Sequence, residues 1–123
     1  MMDLKDKKIL IVDDEKELRS IFTTEFRFYN AQTFEAHNSI SAIEVLKKEK
    51  IDLILSDIRM PGGDGIELLK FAKANIHPFP KFIMLTGYSD LQKEETLNIG
   101  ATQLFTKPFD LDEIFQFIQN LNE

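Results

Sequence analysis

The sequence predicts an α/β protein, a doubly wound (βα)5 domain whose five-stranded parallel sheet runs in the order 2-1-3-4-5. Three observations lead there. Short apolar runs recur at fairly even intervals, helical patterns fill the gaps, and polar residues follow each central run. Runs without polar alternation are what strands look like when both faces of a parallel sheet are covered. Right-handed crossovers then place helices on both faces.

The elements follow in order. Ile9-Leu10-Ile11-Val12 is the first strand. From Lys16 to Tyr29 a helix is expected, with Leu18, Ile21, Phe22 and Tyr29 on one arc and Phe26 and Phe28 flanking it. Thr33-Phe34-Glu35-Ala36 is a weaker strand. Ser39 reads as the N-cap of a helix over Ile40 to Lys48, where Ile40, Ile43 and Leu46 form the apolar stripe. The third strand is Leu53-Ile54-Leu55, followed by a helix over Gly65 to Ala74 carrying Ile66, Leu69 and Lys73, with Leu68 and Phe71 beside them. Phe82-Ile83-Met84-Leu85 leads to a mostly polar helix, Asp90 to Ile99, anchored by Leu91 and Leu97. Leu104-Phe105-Thr106 precedes the last helix, Leu111 to Asn122, with Leu111, Ile114, Phe115, Ile118 and Leu121 on one side. The first, third and fourth runs are the most apolar and belong at the centre. The second and fifth belong at the edges, in agreement with the stated order.

Composition narrows the function. The chain has 123 residues, so the expectation is one domain, 1–123, with no output domain. Its 15 basic and 21 acidic residues leave a charge of −6, which argues against a nucleic-acid-binding face. There is no cysteine, hence no disulfide, thiolate metal site or thiol nucleophile. The longest apolar runs, Ile9 to Val12 and Phe82 to Leu85, are four residues each, too short to cross a membrane or form a signal-peptide core. The expectation is an acidic, cytoplasmic domain.

Chemistry gathers after the strands. The first runs into Asp13-Asp14-Glu15, the third into Ser56-Asp57, the fourth into Thr86-Gly87, the fifth into Thr106-Lys107-Pro108. The crevice of such a sheet lies beyond the carboxyl ends where strand order reverses, so Asp13, Asp14 and Asp57 should converge there. Clustered carboxylates repel unless a cation neutralises them, and oxygen donors without His or Cys suit Mg²⁺. Beside Lys107 and the Thr86 hydroxyl, such a site suits a phosphoryl group. Asp57, closing a central strand, is the candidate nucleophile.

The set Asp13-Asp14, Asp57, Thr86 and Lys107-Pro108 resembles the receiver domains of bacterial two-component response regulators, which share a flavodoxin-like fold. The match spans essentially the whole chain. It includes Ile11-Val12-Asp13-Asp14-Glu15 with Leu18-Arg19, Asp57-Ile58-Arg59-Met60-Pro61-Gly62 with Asp64-Gly65, Leu85-Thr86-Gly87, Gly100-Ala101 and Thr106-Lys107-Pro108-Phe109. The resemblance implies Asp57 as phosphoacceptor, Asp14 and Asp57 as direct Mg²⁺ ligands, Asp13 as a ligand through water and Arg59 through its backbone carbonyl. It implies Thr86 and Lys107 as phosphoryl contacts and a cis Lys107-Pro108 bond. It further implies a sensor histidine kinase or histidine phosphotransfer protein as donor. The fourth helix, fifth strand and fifth helix would face an unknown downstream protein. The domain would catalyse only its own phosphorylation and dephosphorylation. It would be a monomer or weak dimer, and either a stand-alone receiver or a piece of a longer regulator.

Two positions set this chain apart. Receivers commonly carry Tyr or Phe three residues before the site lysine, but here that switch position is Leu104, with Phe105 one place later. Phe105 must face the other side of the strand, so coupling to Thr86 should run through Leu104 or be weak. Arg59 and Tyr88 each follow a site residue by two places and should border the crevice, screening a phosphoryl group from water.

Plainer readings apply elsewhere. Asp64 reads as a turn or helix-start residue, Met60 and Phe109 as packing, His37 and His77 as surface residues, and Phe117 as core margin. Three rival functions fit the sequence less well. A haloacid-dehalogenase-type phosphatase needs Asp-x-Asp after the first strand, where this chain has Asp13-Asp14-Glu15. An FMN carrier needs a Ser/Thr/Gly-rich phosphate loop there. An unphosphorylated receiver-like scaffold would lose site residues, and here the set is complete.

Overall fold

The computed structural model describes residues 2–87 and 90–122, with the backbone alone at 90–92. Strands and helices alternate as β1 (Lys8–Val12), α1 (Lys16–Phe28), β2 (Gln32–Ala36), α2 (Ser39–Lys48), β3 (Leu53–Asp57), α3 (Gly65–Asn75), β4 (Lys81–Thr86), α4 (Asp90–Ile99), β5 (Gln103–Thr106) and α5 (Leu111–Asn122). All strand pairs are parallel, in the order β2-β1-β3-β4-β5. The two polar strands are the edges, as their composition predicts. Val12 pairs with Ser56, Asp57 with Leu85 and Thr86 with Thr106, so the strands end level with one another.

Alternation along the strands divides the interior into two layers. Leu10, Ile54, Phe82, Met84 and Leu104 pack against Ala42, Leu46, Leu68, Leu69 and Ala72 on the α2 and α3 side. Ile9, Ile11, Leu55, Ile83 and Leu85 pack against Phe22, Phe26, Ile114, Phe115 and Ile118 on the α1 and α5 side.

Two helices turn differently from their predicted faces. In α1 the buried centre is Phe22 and Phe26, while Ile21 is 50% and Phe28 66% exposed. The Phe26 ring sits 4.7 Å from that of Phe115, and Tyr29 also reaches Phe115. The packed line is therefore Leu18, Phe22, Phe26 and Tyr29, which rotates Ile21 and Phe28 outward. In α2, Ser39, Ala42 and Leu46 are buried and Ile40 is 64% exposed.

The α2 cap is Asn38 rather than Ser39. Asn38 accepts from the Ser41 N–H at 2.9 Å, and the Ser41 hydroxyl receives the Asn38 N–H at 3.3 Å. This reciprocal pair is a capping box built with Ser at its third position. Lys107-Pro108 is cis, as is His77-Pro78.

Candidate functional site

Parallel pairing continues one residue past the strands and fixes the main chain of the crevice. The Asp13 N–H donates to the Ala36 carbonyl at 3.1 Å, Ile58 N–H to Leu85 at 3.0 Å, and Lys107 N–H to Thr86 at 2.6 Å. Asp13, Asp57 and Lys107 therefore stand on anchored backbone rather than on free loops.

Asp57 ends β3 and is almost fully buried. The Ser56 hydroxyl donates to its carbonyl at 2.9 Å. Gly65, the first residue of α3, comes so close that an added Cβ would collide with the Asp57 carbonyl. Glycine is needed there for approach, not for backbone freedom. Asp64 caps α3 by accepting from the Glu67 N–H at 2.8 Å, the helix-start role expected of it.

Asp13, Asp14 and Asp57 each bring one carboxylate oxygen within 4.8 Å of the others. Asp13 is 2% exposed. Its Oδ1 accepts from the Glu15 N–H at 2.8 Å, while its buried Oδ2 has no hydrogen-bond partner. Burial above all, with the nearby Asp57 and Asp14 charges adding to it, pushes the Asp13 carboxyl up to about 6. Lys107 Nζ lies 3.3 Å from Asp57 Oδ2. Burial acts to lower the Lys107 pKa, but the charge and hydrogen bond of Asp57, with Asp13 and Glu15 behind it, hold it above the usual lysine value. The amine is thus a firm cation.

One ammonium beside three carboxylates leaves a negative excess and an orphaned buried oxygen. All the donors are hard oxygens. These observations fit a hard divalent cation held by Asp13, Asp14 and Asp57.

The remaining candidates lie around this centre. Thr86 ends β4 and is fully buried. Arg59 is exposed in the loop after Asp57, beside a hollow formed with Pro61 and Asp64. Leu104 is buried opposite Met84, in the same layer as the α2 and α3 contacts. Phe105 faces the other layer, its ring edge-on to Phe117 at 5.8 Å. Phe109 packs on Phe22, Met60 is buried, and His37 and His77 are exposed, all as expected. Tyr88 lies outside the described residues.

Arg19 is the contributor whose part the sequence left unread. Its Nη1 donates to the Asp13 carbonyl at 2.6 Å and its Nε pairs with Glu35 at 3.0 Å. It thereby ties the acidic loop to edge strand β2. A cation near a helix N-terminus opposes the helix dipole, and that mismatch was its signal.

A parallel five-stranded sheet with paired acidic residues, an aspartate, a threonine and a lysine at the ends of its strands defines a class of signalling domain. The family model of the response regulator receiver domain matches residues 9–119, and the chain belongs to that family, the receivers of two-component phosphorelay signalling. The chain is 41% identical over 112 residues to sporulation initiation phosphotransferase F of Bacillus subtilis (strain 168), covering 90% of each. It is 37% identical over 113 residues to regulatory protein AtoC of Escherichia coli (strain K12), covering 91% of this chain but 24% of that one. A CheY-like receiver domain protein from Methanospirillum hungatei JF-1 is structurally similar with a TM-score of 0.85 at 30% identity, covering 94% of this chain and 92% of that one. The Francisella response regulator 1452 receiver domain gives 0.83 at 30% identity, covering 96% and 100%. Among the described residues no helix is long and apolar enough to cross a membrane.

Proposed function

We propose that Asp57 accepts a phosphoryl group from a phosphohistidine of a sensor kinase or phosphotransfer protein, with Mg²⁺ held by Asp13, Asp14 and Asp57. The observation that carries this reading is Asp57 Oδ2 at 3.3 Å from the Lys107 ammonium, inside a ring of carboxylates lying within 4.8 Å of one another. Asp57 is preferred as nucleophile because it closes a central strand and is paired with the cation. Asp13 has one oxygen committed to the Glu15 N–H, and Asp14 is exposed.

In the transfer, an Asp57 carboxylate oxygen forms an O–P bond as the donor's N–P bond breaks, and the imidazole nitrogen keeps the electron pair. Lys107 neutralises charge on the phosphoryl oxygens, and the Thr86 hydroxyl donates to one of them. When bound, Mg²⁺ supplies further neutralisation of the same oxygens. The Arg59 backbone carbonyl serves as an additional ligand, and the Arg59 and Tyr88 side chains limit access of water to the product.

Phosphorylated Asp57 carries about −1.5 to −2 charges at neutral pH in place of the carboxylate's single charge. Its signal passes from Thr86 to Leu104, because Leu104 pairs with Met84, two residues from Thr86 on the same face of β4. The α4, β5 and α5 surface then presents a changed face to a downstream protein. The domain's chemistry ends with its own phosphorylation and hydrolysis.

Phosphoramidate, whose N–P bond imitates phosphohistidine, tests the reading directly. With Mg²⁺ present, peptide mapping should place the acid-stable, hydroxylamine-labile adduct on the peptide containing Asp57. An adduct on Asp13 or Asp14 instead would overturn the assignment.

A further inference from the structure

The sheet has a second end, and a cavity of about 450 Å³ opens there. Its wall includes the first residues of β3 and β4, Leu53 and Lys81, whereas Asp57 and Thr86 are the last residues of the same strands. Four residue-to-residue steps along β3 separate the two ends, roughly 13 Å at the rise of an extended chain. The cavity is therefore distinct from the acidic crevice.

One side of the cavity is apolar and pre-shaped. Leu4, Ile76, Phe79 and Leu121 line it. The Phe79 ring stacks on Phe82 with an interplanar angle of 8°, and Lys73 Nζ lies 4.6 Å from the Phe79 centroid, so this wall is held in place. The volume falls in the range of small-molecule sites, which run from about 300 to 1,000 Å³.

The rim has the opposite sign to the molecule. Lys7, Lys50 and Lys81 surround the mouth, all exposed and none in an ion pair among the described residues. The lining carboxylate, Asp52, is turned to the backbone, accepting from the Lys8 N–H at 2.8 Å, and Lys8 itself is paired with Glu49. Three ammonium groups against the one Asp52 carboxylate leave the lining of this hollow net positive on a chain of net charge −6. Nothing in the receiver chemistry uses them.

We infer that this basal cavity binds a small amphiphilic organic anion, with a ring-sized apolar body between Phe79 and Leu121 and an anionic head at the Lys7, Lys50 and Lys81 rim. The volume suits a compact molecule rather than a peptide.

Naphthaleneacetate and its neutral counterpart naphthaleneethanol are suitable probes, titrated into the isotopically labelled full chain and followed by NMR. The acid should give saturable shifts at the amides of Leu4, Ile51, Phe79 and Leu121 and leave those of Asp57 and Thr86 in place. The alcohol should bind at least tenfold more weakly. The double variant Lys50→Glu, Lys81→Glu should lose at least tenfold in affinity for the acid while keeping a folded spectrum, and Lys50→Gln, Lys81→Gln replaces it if it does not fold. Equal binding of acid and alcohol, undiminished affinity in the folded variant, or no saturable shifts would each overturn the inference. So would an acidic peptide that saturates the same amides more tightly than the acid.

Discussion

Asp13 is a carboxylate held where a carboxylate is least welcome. It is 2% exposed, one of its oxygens is unbonded, and its pKa is raised by burial to about 6. Such a group destabilises the metal-free fold and gains most from a cation. Asp13→Asn keeps an oxygen for the Glu15 N–H and removes the buried charge. It should stabilise the protein in chelator-containing buffer by roughly 1 to 3 kcal/mol, the scale set by ~1.4 kcal/mol per pKa unit. It should also weaken Mg²⁺ binding, and urea melts with and without Mg²⁺ measure both effects. A variant less stable than the parent in chelator would contradict this picture. Arg59→Ala and Tyr88→Ala should each shorten the lifetime of phosphorylated Asp57. Decay no faster than the parent's would remove them from that role. Asp57, Lys107 and the acidic pair were legible as residues because they stand at or just past the ends of strands. Arg19 was not, because its two partners, the Asp13 carbonyl and Glu35, lie on different elements.

At the scale of elements, periodicity located every helix but did not fix every face. The α1 sequence is apolar over a wide arc, and packing against the sheet and the Phe115 ring of α5 decides which part turns inward. Phe26→Ala should therefore cost about 3 to 5 kcal/mol, as for a buried aromatic, whereas Phe28→Ala should stay within about 0.5 kcal/mol. Equal losses in chemical denaturation would put the face back where the sequence suggested. The α2 cap was misread by one residue because Asn38 and Ser39 are both good caps, and the reciprocal bond to Ser41 selects Asn38. In β5 the alternation argument was sufficient, since Leu104 and Phe105 do occupy opposite layers. Relaxation-dispersion NMR with and without beryllofluoride and Mg²⁺ should show exchange at Thr86 and Leu104 that the mimic alters. No change around α4 and β5 would mean that phosphorylation is not relayed by this route.

The whole molecule divides along the strand axis. Strand order was readable because buried parallel strands are apolar throughout and edge strands are not. The acidic crevice was readable for a related reason: level strand ends bring residues distant in sequence to one line. The basal cavity left no such trace. Its lining is drawn from the starts of strands and the end of α5, positions with no shared spacing, and its lysines look like ordinary surface charge until the fold assembles them. The −6 charge is likewise unevenly placed, with a carboxylate cluster at one end and a group of lysines at the other.

Acetyl phosphate with Mg²⁺, read by intact-protein mass spectrometry, tests the central claim most directly. The parent should gain the mass of one phosphoryl group, lose it on chelation of Mg²⁺ before the donor is added, and show no gain as Asp57→Asn. Labelling of Asp57→Asn to the parent's level, or full labelling of the parent in chelator, would contradict the account.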